Sequence, residues 1–287
     1  MNRNASVSQS NAPVVFITGA SAGIGAAAVE VFAAAGYDVA RAARRQDRLD
    51  KIAAAAAEKF PQRQFVPIVC DVTLDASVKA AFGVVKNRFG KLDALINNAG
   101  YGVYGSVEKT TLDNFRQNLE TNYFGAIRCT QEALPLLRVA AGTSRRKWGA
   151  AIVMVSSILG RRALPMMSSY CATKFAMEGL SEALRVELHD ERISVSVVNP
   201  GVTNTEFGDV VQGTRPRNFL KFRNGMSSAK VAAALLQAVR RPRRNRYLTI
   251  AGKACIVIEW LTPRLVDYIL LKTWRQIKVP SPDNEER

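Results

Sequence analysis

Tyr170 and Lys174 stand four residues apart in a stretch that reads as helix, Ser168 to His189, rich in Ala, Glu, Leu and Met. That spacing stacks both side chains on one face, one turn apart. An ammonium beside a phenol favours the phenolate and lowers its pKa from about 10. Such a tyrosine exchanges a proton with a substrate oxygen near neutral pH. Ser157 follows the apolar run Ala151 to Val155, and its hydroxyl can bond the same oxygen. The pair alone decides little, because Tyr268 and Lys272 repeat the spacing. Thirteen residues before Tyr268 sits Cys255, whereas thirteen before Tyr170 sits Ser157.

Elements must bring these groups to a ligand, and the first is a strand over Val14 to Thr18. It turns at Gly19-Ala-Ser21-Ala-Gly23-Ile24-Gly25 into an Ala-rich helix ending at Gly36. A glycine-rich strand-to-helix turn presents backbone N–H groups and a helix N-terminus to a pyrophosphate. The spacing is GxxxGxG. The literal GxGxxG at Gly100-Tyr-Gly102-Val-Tyr-Gly105 reads as a decoy, because the next helix opens only near Asp113. The second strand, Asp38 to Ala43, is followed by Arg44-Arg45. Dinucleotide-binding folds favour NAD with an acid about 20 positions past the glycines, and NADP with an arginine nearby. Ala43 takes the acid's place and Arg44 follows, so the expected cofactor is NADP(H). Arg41, inside a strand expected to be covered on both faces, has no account at this level.

The alternation continues through a helix (Gln46 to Lys59), a strand (Phe65 to Val69), a helix (Asp75 to Phe89) and a strand (Asp93 to Asn97). A long helix (Asp113 to about Ala140), a strand (Ala150 to Val155) and the Tyr170 helix come next. A strand (Ile193 to Val198), a helix (Ser227 to Arg240) and a last strand (Arg246 to Ile250) complete it. Strict alternation predicts an α/β fold with a single doubly wound parallel sheet, Rossmann-type, covered by helices on both faces. No composition break marks a second domain. The expected domain is 1–287, with a core of about 13–250 and a helical extension over about 251–278.

The bulk numbers agree with a globular chain: 48% apolar and 22% charged residues. Cys70, Cys129, Cys171 and Cys255 form no CxxC pair and read as reduced thiols, three of them buried. No metal-ligand spacing, transmembrane-length apolar run or signal peptide is visible, so a soluble cytoplasmic protein is expected. The formal charge of +16 suits a phosphorylated cofactor, an anionic substrate, an acidic carrier protein or an anionic membrane face. No nucleic-acid-binding signature accompanies it.

Together these residues resemble the short-chain dehydrogenase/reductase family over roughly Val14 to Ile250. The family's TGxxxGIG appears as Thr18 to Gly25, and its aspartate after the third strand as Asp71, followed by Val72. Its NNAG appears as Asn97-Asn98-Ala99-Gly100, and its asparagine in a long helix as Asn122. Its serine, tyrosine and lysine fall on Ser157, Tyr170 and Lys174, and its PG segment on Pro200-Gly201-Val202-Thr203-Asn-Thr205. The resemblance implies that Tyr170 is the acid/base, that Lys174 lowers its pKa and holds the nicotinamide ribose, and that Ser157 orients the substrate oxygen. It implies too that Asn122 keeps a proton-relaying water. The implied cofactor contacts are Gly19, Ser21, Gly23, Ile24, Gly25, Asp71, Val72, Asn98, Ala99, Gly100, Pro200, Gly201, Val202, Thr203 and Thr205, with Arg44, Tyr170 and Lys174. A homodimer or homotetramer through the long helix and the Tyr170 helix is implied as well. The Tyr170 to Leu184 segment is similar to the hydroxysteroid and retinol dehydrogenase branch. The basic loop Gly142 to Gly149 and the +16 charge depart from it.

Tyr101, Tyr104, Leu159, Leu164, Met166, Met167 and Phe207 are expected to flank the substrate, with Val202 to Asn224 as lid. Their apolar character suits a bulky hydrophobic ketone or secondary alcohol, steroid-, retinoid- or lipid-like. Arg215, Arg217, Lys221 and Arg223 in the lid suit instead a 3-oxoacyl chain on an acidic carrier. Ala254 to Trp274 reads as two short amphipathic helices, beside five arginines between Arg240 and Arg246. They are expected to form a flap over the substrate site or a subunit interface or, through 240–274, a peripheral contact with anionic membrane. A non-catalytic NADP-binding scaffold at a membrane is the alternative of another class. The full set of Asn122, Ser157, Tyr170 and Lys174 counts against it.

Overall fold

Strands with no polar face are buried on both sides, and these strands are apolar nearly throughout. In the computed structural model, which describes residues 11–144, 147–206, 213 and 225–276, seven strands form one parallel sheet. They are β1 (Val14–Thr18), β2 (Asp38–Ala43), β3 (Phe65–Val69), β4 (Ala94–Asn97), β5 (Ala150–Val155), β6 (Ile193–Asn199) and a last strand, Asn245–Tyr247. The spatial order is β3-β2-β1-β4-β5-β6 and then the last strand. The chain therefore runs outward from β1 and crosses back to β4, which pairs with the other side of β1 through Val15 and Ala94. In open α/β sheets ligands bind where the order reverses, outside the strands' carboxyl ends. Here that is the crevice above β1 and β4.

Alternate β1 residues feed two cores. Val14 and Phe16 pack with α3 (Asp75–Phe89), α5 (Gly125–Thr143) and α6 (Ser168–Glu187). Val15 and Ile17 pack with α1 (Gly23–Ala34) and the helix Ser228–Arg240. Arg41 pairs in register with Ile17, on the face towards α1 and α2 (Gln46–Lys59), and is fully buried. Burial pushes its guanidinium down to about 10, opposed by Asp50, and its three nitrogens find no hydrogen-bond partner among the described residues.

Most elements fall where the pattern puts them, with three differences. The expected long helix is α4 (Leu112–Leu119), a π-helical turn (Glu120–Phe124) and α5. The last strand stops at Tyr247, and Ile250 opens a helix, because Thr249 caps it: its Oγ1 accepts from Gly252 N at 3.0 Å. A two-residue ladder joins Thr203–Asn204 to Met226–Ser227 at the root of the expected lid. The lid's Phe207, Arg215, Arg217, Lys221 and Arg223 lie outside the described residues. The extension does form two helices, Ile250–Leu261 and Pro263–Gln276. Among the described residues no helix is long and apolar enough to cross a membrane. The four cysteines are free, with Cys70, Cys129 and Cys171 buried and Cys255 half-buried.

Candidate active site

The turn after β1 depends on glycine. Gly19 and Gly23 have φ of 66° and 54°, the left-handed region that side chains disfavour. A Cβ on Gly25 would strike Gly19 O and lie 2.8 Å from Asn98 Nδ2. The α1 N-cap, Ala22, makes no side-chain cap bond, and the first turn holds no acid. The helix's first N–H groups thus face the crevice uncapped, a cradle suited to a phosphate anion. Thr205 sits over it, 3.2 Å from where a Gly23 Cβ would be. Ser21 accepts a 3.0 Å hydrogen bond from Arg45 Nη2.

The segment after β4 closes on the same turn. Thr18 Oγ1 accepts from the backbone N–H of Asn98 and of Ala99, both at 2.9 Å, and Asn98 Nδ2 donates to Thr18 O at 2.9 Å. Asn98 therefore works here as a strut. Asp71 likewise holds its own loop, its Oδ1 accepting from Thr73 N and Oγ1. Val72 abuts Gly125, and Ile24 is half-buried against the α1-side core. On the far wall Pro200 O accepts from Ile158 N, Gly201 lies against Thr249 and Ile158, and Thr203 Oγ1 donates to Gly201 O. Val202 is exposed. Ala43 ends β2 with Arg44 exposed beyond it, near enough for its charge to act on the Tyr101 phenol.

Ser157 leaves β5 and opens a short 3-10 turn, its Oγ accepting from Leu159 N at 3.1 Å. The Tyr170 phenol, near the start of α6, lies within hydrogen-bonding reach of Ser157. One turn on, Lys174 Nζ sits 5.5 Å from the Tyr170 ring centroid and donates to Val155 O at 2.8 Å. The expected cause of a lowered phenol pKa is not what dominates. Burial pushes the Tyr170 phenol up, opposed by the Ser157 hydrogen bond. Burial also pushes the Lys174 ammonium down to about 8, opposed by Glu178. Desolvation outweighs the pair's attraction because both groups are nearly sealed from water. At neutral pH the arrangement is a protonated phenol beside a weakly held ammonium, a proton donor to an oxygen at Ser157.

The π-helical turn carries Asn122 inward, fully buried. Its Oδ1 accepts from Tyr101 N at 3.0 Å, and its Nδ2 donates to Tyr101 O at 2.9 Å and Thr173 Oγ1 at 3.1 Å. Asn118 Nδ2 also donates to Tyr101 O at 2.9 Å. Together they tie the segment after β4 to the helix bearing Tyr170, and Gly100 fits because a Cβ there would press on Asn122 Oδ1. Asn118, Thr173 and Glu178 escaped the sequence reading, although Asn118 stands four before Asn122 and Glu178 four after Lys174. The same helical spacing that found Lys174 points to both.

Of the expected substrate residues, Tyr104, Leu159, Met166 and Met167 cluster with Tyr170 and Cys171, and Trp274 of the last helix joins them. Met166 is held at φ 65°, its carbonyl accepting from Gly105 N. Tyr101 and Leu164 are half-buried outside that cluster. The GxGxxG decoy is disposed of by the same contacts. Gly105 bridges to Met167, and no helix follows before Leu112. Tyr268 is exposed on the last helix.

A sequence model described as short chain dehydrogenase matches residues 13–215. Dehydrogenase/reductase SDR family member 7B of Rattus norvegicus is 31% identical over 272 residues, 92% of this chain and 82% of that protein. The 3-ketodihydrosphingosine reductase of Bacteroides thetaiotaomicron is 31% identical over 279 residues, 90% of this chain and 96% of that protein. An alcohol dehydrogenase of the archaeon Thermococcus sibiricus, solved with 5-hydroxy-NADP, superposes with a TM-score of 0.70 at 26% identity. It covers 82% of this chain and 94% of its own.

Proposed function

The chain belongs to the short chain dehydrogenase family, and from that premise we propose that it reduces a bulky, lipid-like ketone to a secondary alcohol with NADPH. It is an oxidoreductase with a nicotinamide cofactor; substrate, NADP preference and direction are the proposal. The observation that carries it is the buried Tyr170 phenol, within hydrogen-bonding reach of Ser157 and with Lys174 Nζ 5.5 Å from its ring. The bound nicotinamide supplies the hydride. Tyr170 gives its proton to the carbonyl oxygen, and Ser157 Oγ–H holds that oxygen in line. Lys174 would hold the cofactor's ribose and support the charge left on Tyr170. Asn122 fixes the floor between Tyr101 and Thr173. Arg44, with no carboxylate at Ala43, suits a 2′-phosphate.

The aromatic and methionine wall around Tyr170 favours a long apolar substrate, and the relative that reduces 3-ketodihydrosphingosine supports the same class. The test is NADPH consumption with 3-ketosphingoid bases, ketosteroids, retinal and methyl ketones of increasing length. Each buried methylene contributes about 0.8 kcal/mol, so kcat/KM is expected to rise roughly fourfold per methylene until the wall is filled. A profile flat in chain length, or activity confined to carrier-linked 3-oxoacyl chains, overturns the substrate class.

Lys174 sets a pH limit. Its ammonium is present below about 8 and lost above. Because kcat/KM for NADPH reports the free enzyme, it is expected to fall as pH rises through that value. A profile flat through that range contradicts the role given to the ammonium.

A further inference from the structure

The two C-terminal helices leave an apolar face uncovered. Ile250, Val257, Trp260 and Leu261 are exposed on the first, and Leu265, Tyr268 and Ile269 on the second. Ile250, Val257 and Leu261 stand at helical spacing, as do Leu265 and Ile269, so each helix shows a stripe rather than scattered residues. The inner side is accounted for. Val266 and Gly252 are buried, a Cβ on Gly252 would run into Ile158, and Trp274 packs beside Tyr170.

The charges sort in the same way. Lys253, Arg264, Lys272 and Arg275 are exposed. Glu259 and Asp267, the two acids in residues 250–276, are both held by Arg162, at 2.8 and 2.6 Å. The outer face thus offers apolar side chains, four cations and no carboxylate that Arg162 does not hold. Of the arginines in the preceding segment, Arg240 donates to Ala35 O at the C-terminal end of α1, the end away from the glycine turn.

We propose that this face docks the protein on an anionic lipid bilayer, the two helices lying in the headgroup layer with Trp260 and Tyr268 at the apolar boundary. Apolar insertion and cationic attraction together supply the two signals that stable surface binding takes. A second copy is the poorer occupant, since a twofold interface would set these four cations against themselves, and the two carboxylates of these helices, Glu259 and Asp267, are already paired with Arg162. Arg162 lies five residues past Ser157, and Trp274 touches the Tyr170 cluster, so a docked bilayer would lie next to the active site.

The proposal does not depend on the substrate and is tested without one. The full chain is sedimented with vesicles of phosphatidylcholine plus phosphatidylglycerol, and with phosphatidylcholine alone. Binding is expected only to the anionic vesicles, with release by added salt. The double variant Trp260→Glu, Tyr268→Glu is expected to lower the partition coefficient about tenfold or more. Each of Arg264→Ala and Lys272→Ala should lower it about fivefold. All are expected to keep the parent's Tm. No binding to anionic vesicles, or equal binding by parent and variants, overturns the proposal. So does a parent dimer that Trp260→Glu dissociates while vesicle binding is absent, which assigns the face to a second copy.

Discussion

Tyr170→Phe is expected to lower kcat about 10³-fold, with KM for NADPH and Tm close to the parent's. The substitution removes one hydroxyl and keeps the ring that packs with Met167, Cys171 and Trp274. The Ser157 hydroxyl that faced it is half-buried and keeps Leu159 N as a partner. The loss in stability should therefore be no more than about 1 kcal/mol. The expected loss in rate is large because the proposed mechanism draws its proton from Tyr170, and Lys174 Nζ is turned to Val155 O. Burial raises the phenol's pKa, so the proton is in place for reduction throughout neutral pH. Alcohol oxidation needs the phenolate and should speed up as pH rises. Residual turnover within about tenfold of the parent would remove Tyr170 from the acid/base role.

The physical reasons for what could be read in the sequence differ from one residue to another. The sheet was legible because both-face burial forces apolar strands, and those runs alternate with helical patterns. Tyr170, Lys174 and Ser157 were legible because one sits a helical turn from the next and the third ends a strand. The π-helical turn at Glu120–Phe124 was not, since a single widened turn leaves the helical pattern on either side intact. The phenol's raised pKa was not legible either. Spacing says that two groups are neighbours, but only the closed fold says how little water reaches them, and here desolvation prevails. Asn98 and Asp71 were read as cofactor contacts, yet the Asn98 amide is engaged with Thr18 and the Asp71 carboxylate with Thr73. A motif locates such residues without saying which atoms remain for a ligand.

Ala43→Asp is expected to reverse the cofactor preference, lowering the NADPH/NADH ratio of kcat/KM by about 10²-fold or more. Ala43 ends β2, and its neighbour Ala42 accepts at the carbonyl from Ala20 N of the glycine turn, at 3.1 Å. A carboxylate there would be placed to hold the adenosine ribose. It would accept hydrogen bonds from both hydroxyls of NADH and repel a 2′-phosphate, and like charges so placed cost several kcal/mol. The two arginines that follow separate specificity from scaffolding. Arg44 is exposed and free to meet the phosphate, so Arg44→Ala should weaken NADPH alone, by about tenfold or more for a lost charge-assisted bond. Arg45 is bonded to Ser21 Oγ in the glycine turn, so Arg45→Ala should weaken NADPH and NADH alike. Steady-state kinetics with both cofactors on the three variants distinguishes these cases. If Ala43→Asp and Arg44→Ala leave the ratio where it was, the 2′-phosphate is not recognised at the end of β2 and the NADP assignment fails. An effect of Arg45→Ala on the ratio, with none from Arg44→Ala, would move the recognition one residue along and keep the assignment.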